Sequence, residues 1–72
     1  MEHYRNVNGN SNVRAYEIGR DYIAVQFYKT ARVYRYSYAK AGRDTVEYMK
    51  QLALAGHGLN SFIRRFAYSL YD

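Results

Sequence analysis

Residues 22–38 run YIAVQFYKTARVYRYSY, and the fold turns on how this stretch is divided. Ile23, Val25 and Phe27 alternate with Tyr22, Gln26 and Tyr28, the two-residue period of a strand with one buried face. Lys29-Thr30 begins a reversal, and residues 32–38 supply a second run of the aromatic and branched residues that suit a pleated surface. Register then decides which tyrosines are buried. If the loop is centred on Lys29-Thr30, or consists of the four residues from Tyr28 to Ala31, then Phe27 faces Arg32, Val25 faces Tyr34 and Ile23 faces Tyr36. This register gathers Ile23, Val25, Phe27, Tyr34 and Tyr36 on one face, and it is the favoured one for that reason. Tyr22, Gln26, Tyr28, Val33 and Arg35 then share the other face. An odd-numbered loop would reverse the second strand, turning Val33 inward and both tyrosines outward.

Upstream of this hairpin, residues 13–19 alternate loosely and stop at Gly19-Arg20-Asp21, a turn sequence, so they predict an earlier strand. Residues 1–12, MEHYRNVNGNSN, cluster Asn, Gly and Ser without a period and predict a flexible, frayed terminus. Downstream, Asp44 followed three residues later by Glu47 has the spacing of a helix N-cap. Val46, Met49, Leu52 and Ala53 then recur at helical spacing, and Gly56 is placed to end the helix in a left-handed conformation. Leu59, Phe62, Ile63 and Phe66 mark one face of a second helix, which Asn60 is expected to cap and from which Arg64 and Arg65 point away. The expected architecture is α+β, in the order β-β-β-α-α. Three antiparallel strands near 13–19, 22–28 and 32–38 precede two short helices near 45–55 and 59–68, all in one domain over 13–72. The helices pack on one face of the sheet and leave the other open.

A chain of 72 residues has a core only marginally able to stabilise it, and a domain this small often needs a disulfide, a metal or a partner subunit. With no cysteine and only His3 and His57 as nitrogen ligands, disulfides are excluded and the usual Cys/His zinc site cannot be assembled within one chain. Self-association into a homodimer, burying the uncovered tyrosine-rich face, is the remaining expectation. No apolar leader or membrane-length apolar run is present, so a cytoplasmic protein that does not enter a membrane is expected.

Enzyme chemistry finds little support. The sequence has no cysteine nucleophile, no glycine-rich phosphate loop, no metal-ligand spacing and no carboxylate pair outside capping positions, and its serines have no evident base beside them. Neither catalysis nor a cofactor is expected. What stands out is 11 Lys and Arg against 6 Asp and Glu, a net charge of +5, together with 10 tyrosines. Tyrosine offers a large apolar face and a hydroxyl at little cost in side-chain entropy. Residues 13–37 hold five basic and two acidic side chains, a local excess of three.

The candidate contact residues follow from that excess. Lys29, Arg32, Arg35, Lys40 and Arg43 crowd around the third strand and its exit, either as a solvated edge that resists strand pairing or as phosphate contacts. Tyr34 and Tyr36 are core residues in the favoured register and a base-stacking platform in the other. In the favoured register Tyr22, Tyr28 and Arg35 are the better platform, since aromatic faces on an open sheet accept bases. Arg64 can meet a carboxylate or a phosphate.

Ser11-Asn12, Ile18-Gly19, Val25, Phe27, Val33-Tyr34-Arg35-Tyr36, Asn60 and Ile63-Arg64 stand in the order and approximate spacing of the KTSC family, and from about Ser11 to Tyr68 the chain resembles that short domain. The family is named for its occurrence at the C-terminus of some lysyl-tRNA synthetases, and also stands alone in bacterial and phage proteins. Its usual glycine before V-Y-x-Y and proline before the first helix are here replaced by Lys29-Thr30-Ala31 and Ala41-Gly42-Arg43. The resemblance implies a small α+β domain and, through the synthetase link, contact with RNA. Together these features predict a non-catalytic module that binds RNA or another single strand. The alternative is a bacterial or phage interaction protein, an inhibitor that occupies an anionic surface of a host protein or sequesters a small nucleotide.

Overall fold

The computed structural model describes residues 1–7, 9 and 11–72. The parts of the expected N-terminal loop at Asn8 and Asn10 lie outside the described residues. The chain is α+β, with one antiparallel four-stranded sheet in the order β1-β2-β3-β4. The strands are β1 (Glu2–His3), β2 (Val13–Ile18), β3 (Tyr22–Phe27) and β4 (Val33–Ser37). After them come helices α1 (Tyr38–Ala41), α2 (Arg43–Ala55) and α3 (Leu59–Phe62), and α3 continues through Ile63–Ala67 as a π-helical turn.

The β3–β4 hairpin has the favoured register: Ile23 lies opposite Tyr36, Val25 opposite Tyr34 and Gln26 opposite Val33. Ile23, Val25 and Tyr36 are buried and join Val46, Met49, Leu59 and Ile63 in one core. Each fully buried aliphatic side chain here contributes about 1.5–3 kcal/mol relative to exposure. Gly19 permits the β2–β3 turn, because a Cβ at this position would lie 1.9 Å from the Tyr22 ring.

The expectation of three strands misses the fourth. Glu2 lies opposite Tyr16 and His3 opposite Ala15, and Tyr4 donates its N–H to the Arg14 carbonyl at 3.0 Å. A β-bulge between Val13 and Ala15, in the β2–β3 ladder, sets which β2 side chains enter the core beside it. Val13 and Tyr16 are three residues apart and would face opposite sides of a regular strand, but the extra residue turns both into the core. Tyr16 then meets the fully buried Tyr4 ring edge-on at 6.5 Å, and the Tyr4 hydroxyl accepts from the Leu59 N–H at 3.4 Å.

The helices also differ from expectation. β4 ends at Ser37, whose Oγ accepts from the Lys40 N–H and so starts α1. The chain enters α2 through Gly42 at a φ of 92°, which puts Asp44 in the first turn and leaves the expected side-chain cap unmade. Gly56 does end α2 in the left-handed region, at a φ of 79°. Gly58, rather than Asn60, is the N-cap of α3. The π-helical turn advances fewer degrees per residue than an α-helix. Beyond Ile63 the chain therefore under-rotates, bringing Ala67 into the core and turning Phe66 outward to 64% exposure.

Candidate functional site

The core face of the sheet is not fully covered. At the end nearest the β3–β4 turn, a cleft of about 530 Å³ opens between the sheet, α3 and the C-terminal residues. Phe27, Tyr34 and Tyr36 form its sheet wall, Asn60 and Arg64 come from α3, and Tyr68 and Tyr71 come from the segment after it. Strand alternation puts the first three side chains on one face, and the four-residue spacing of Asn60 and Arg64 puts both on one side of α3.

Tyr71 packs against the core-side rings of β4. Its ring stands edge-on to Tyr34 at 4.8 Å and to Tyr36 at 6.3 Å, while Tyr34 stands edge-on to Phe27 at 5.6 Å. The Arg32 guanidinium lies 4.9 Å over the Tyr34 ring and 5.4 Å over the Tyr71 ring. Among the described residues no carboxylate pairs with Arg32 or Arg64, and none lines the cleft. Burial pushes the Tyr36 phenol up to about 12, with the neighbouring Tyr34 and Tyr71 hydroxyls adding to the rise. It therefore serves the cleft as a neutral hydroxyl-bearing ring.

The outer face of the sheet carries the residues expected to form the stacking platform. There the Arg35 guanidinium covers the Tyr22 ring at 4.7 Å, and the Tyr22 hydroxyl donates to Glu17. That hydrogen bond is the first cause of the raised Tyr22 pKa. Arg35 itself reaches Asp72 at 3.6 Å, and Asp72 is held by the Ser37 hydroxyl at 2.7 Å. Asp72 also donates its N–H to the Arg35 carbonyl at 2.7 Å, so it lines the exposed edge of β4. Tyr28 and Lys29 lie exposed in the β3–β4 turn, and Lys40 and Arg43 are exposed at α1 and the start of α2.

The structure thus brings Arg32, Tyr34, Tyr36 and Arg64 together and separates them from Tyr22 and Arg35. No family model, curated protein or solved structure matches the chain. The cleft must be read from its own chemistry. It offers aromatic walls, phenol hydroxyls, the amides of Asn12 and Asn60, the Thr30 hydroxyl and the Arg64 guanidinium, with Arg32 lying over two of its rings. Sequence reasoning missed Tyr68 and Tyr71, whose only signal was their place near the Arg64-bearing helix. Among the described residues there is no group of three or more His, Cys, Asp or Glu able to hold a metal ion, and no helix is long and apolar enough to cross a membrane.

Proposed function

We propose that the protein is a non-catalytic binding module for single-stranded nucleic acid, RNA above all, and that the aromatic cleft is where it takes hold. The observation that carries this reading is the pair Arg32 and Arg64, set around tyrosine rings with no described carboxylate to neutralise either. A guanidinium stacked on a ring keeps its N–H edge free to donate, and this edge fits phosphate oxygens. The cleft volume lies within the roughly 300–1,000 Å³ of small-molecule sites and suits a base with its sugar. Tyr68, 70% exposed at the rim, presents a ring on which a base can stack. The resemblance to a synthetase-linked domain points the same way. In this reading the binding residues are Arg32, Tyr34, Tyr36 and Arg64 with Tyr68 and Tyr71, while Tyr22 and Arg35 play a structural part on the outer face.

A bounded cleft also admits a free nucleotide, which keeps sequestration of a small nucleotide as the second reading. Fluorescence anisotropy with labelled RNA and single-stranded DNA, titrated with salt and competed with mononucleotides, tests both. Salt-sensitive RNA binding is expected, weakened by roughly 1–3 kcal/mol in Tyr68→Ala. Complete competition by micromolar mononucleotide would favour sequestration. Absence of binding to every strand would overturn the nucleic-acid reading.

A further inference from the structure

Asn60 and Arg64 line two spaces at once. Beside the aromatic cleft lies a smaller, more enclosed polar pocket of about 200 Å³, whose other walls include Asn6, Ser11, His57 and Ser61. The two spaces are compartments of one site, sharing one edge of α3. Their chemistry differs: the cleft is walled by rings, and the pocket by amide, hydroxyl, imidazole and guanidinium groups. No described carboxylate lines the pocket. The Asn6 side-chain carbonyl already accepts the Ser11 N–H at 3.0 Å, so what Asn6 has left to offer is its NH₂. Arg64 offers only donors. The pocket is therefore biased towards an acceptor-rich, anionic group.

We infer that this pocket seats a terminal phosphate monoester, so that the module binds a strand by a phosphorylated end with the terminal base in the cleft. The inference rests on the nucleic-acid reading above and names the part of the strand that is recognised. A phosphodiester within a strand has two ester oxygens and must let the chain leave in two directions. A monoester ends the chain, leaving its other three oxygens to accept hydrogen bonds and only one direction to be open. A small enclosed pocket that joins a wider cleft along one edge fits the second case.

The test compares three internally labelled RNAs of one sequence, with a 5′-phosphate, a 3′-phosphate or hydroxyls at both ends, by anisotropy. One phosphorylated RNA is expected to bind at least about tenfold tighter than the hydroxyl-ended one, and which of the two it is assigns the end. Asn6→Asp keeps the carbonyl that accepts the Ser11 N–H but replaces the NH₂ with an anionic oxygen, and is expected to abolish the preference while hydroxyl-ended RNA still binds. His57→Ala, in an exposed loop, is expected to reduce the preference without altering the melting temperature. Equal affinity for all three RNAs, with binding otherwise intact, overturns the end-recognition inference and leaves the module reading standing. A preference that survives Asn6→Asp also overturns it. Failure of all three RNAs to bind overturns both.

Discussion

On the outer face of the sheet Arg35 lies over Tyr22, and on the core side Arg32 lies over Tyr34 and Tyr71, so two clusters of the same residue types sit on either side of β4. Around Arg35 are two carboxylates, Asp72 paired with the guanidinium and Glu17 accepting from the Tyr22 hydroxyl. None pairs with Arg32 among the described residues, and a second guanidinium without a carboxylate partner, Arg64, lines the cleft whose Tyr34 and Tyr71 rings Arg32 covers. A cation over an aromatic ring is a common packing contact and by itself names no ligand. The acids differ: one cluster pairs its own charge, and the other leaves its guanidiniums without a carboxylate partner among the described residues.

The comparison breaks most sharply on stability. Tyr36 is 1% exposed beneath the cleft, so Tyr36→Ala should cost about 3–5 kcal/mol, as for a large buried aromatic, and can unfold so small a domain. Tyr22→Ala, on a half-buried outer ring, should cost on the order of 1 kcal/mol. Urea unfolding of both variants measures the difference. Equal losses would mean that the two faces are alike and that the cleft has no rigid floor.

Alkaline titration sharpens the same contrast. Tyr36 ionises at about 12 in the fold, held up first by burial and then by Tyr34 and Tyr71, against 10.0 for a free phenol. Below the unfolded value both states keep the proton, and the stabilisation is fully present. As pH rises from there towards the folded value the unfolded chain releases the proton and the fold does not, so stability falls by up to about 3 kcal/mol. Tyr36→Phe should remove most of this fall. Unfolding curves at stepped alkaline pH, in both proteins, decide it, and an unchanged fall in the variant would assign it to another group.

Much of the fold behind this contrast was legible in the sequence. Ile23, Val25 and Phe27 share one period with Tyr34 and Tyr36, and only one register puts all five on one side. The recurrence from Val46 to Ala53, closed by Gly56, marked α2 in the same way. The two-residue β1 has no period to detect, and the place of Tyr4 in the core depends on a bulge at Arg14 that no local pattern announced. The π-helical turn was hidden because Phe66 fits the apolar face of a regular helix. For the site, register places Arg32 and Arg35 on opposite faces but does not say which of them is paired with an acid. They are distinguished by Tyr71 and Asp72, neighbours in sequence that reach opposite sides of β4 across a long separation, and this is tertiary information.

Binding compares the cleft with the outer face directly, through Arg64 and Arg35. Arg64→Ala, in the cleft, should weaken RNA binding about tenfold, roughly 1.4 kcal/mol, and flatten the salt dependence by a slope of about 0.7. Arg35→Ala, already paired with Asp72, should change either quantity by less than half as much. Anisotropy at several salt concentrations gives both numbers for each variant. If Arg35→Ala proves the more damaging, the binding surface is the outer face.

The smallest expected effect concerns the acid that separates the clusters. Asp72→Asn removes the charge paired with Arg35 but keeps an oxygen to accept from the Ser37 hydroxyl and the backbone N–H that donates to the Arg35 carbonyl. The pair is solvent-exposed and 3.6 Å apart, so stability should change by less than about 1 kcal/mol. Arg35 would then carry an unpaired charge over Tyr22, as Arg32 does over Tyr34. If neutralisation by acids is what keeps the outer face from binding, the variant should gain a weak, salt-sensitive affinity for RNA, about twofold at low salt, with a steeper slope by up to about 0.7. The gain should add to Arg64→Ala without restoring it, because the two arginines lie on opposite sides of the sheet. No gain at low salt would show that the missing acid is not what sets the cleft apart, leaving its concave shape as the distinguishing feature.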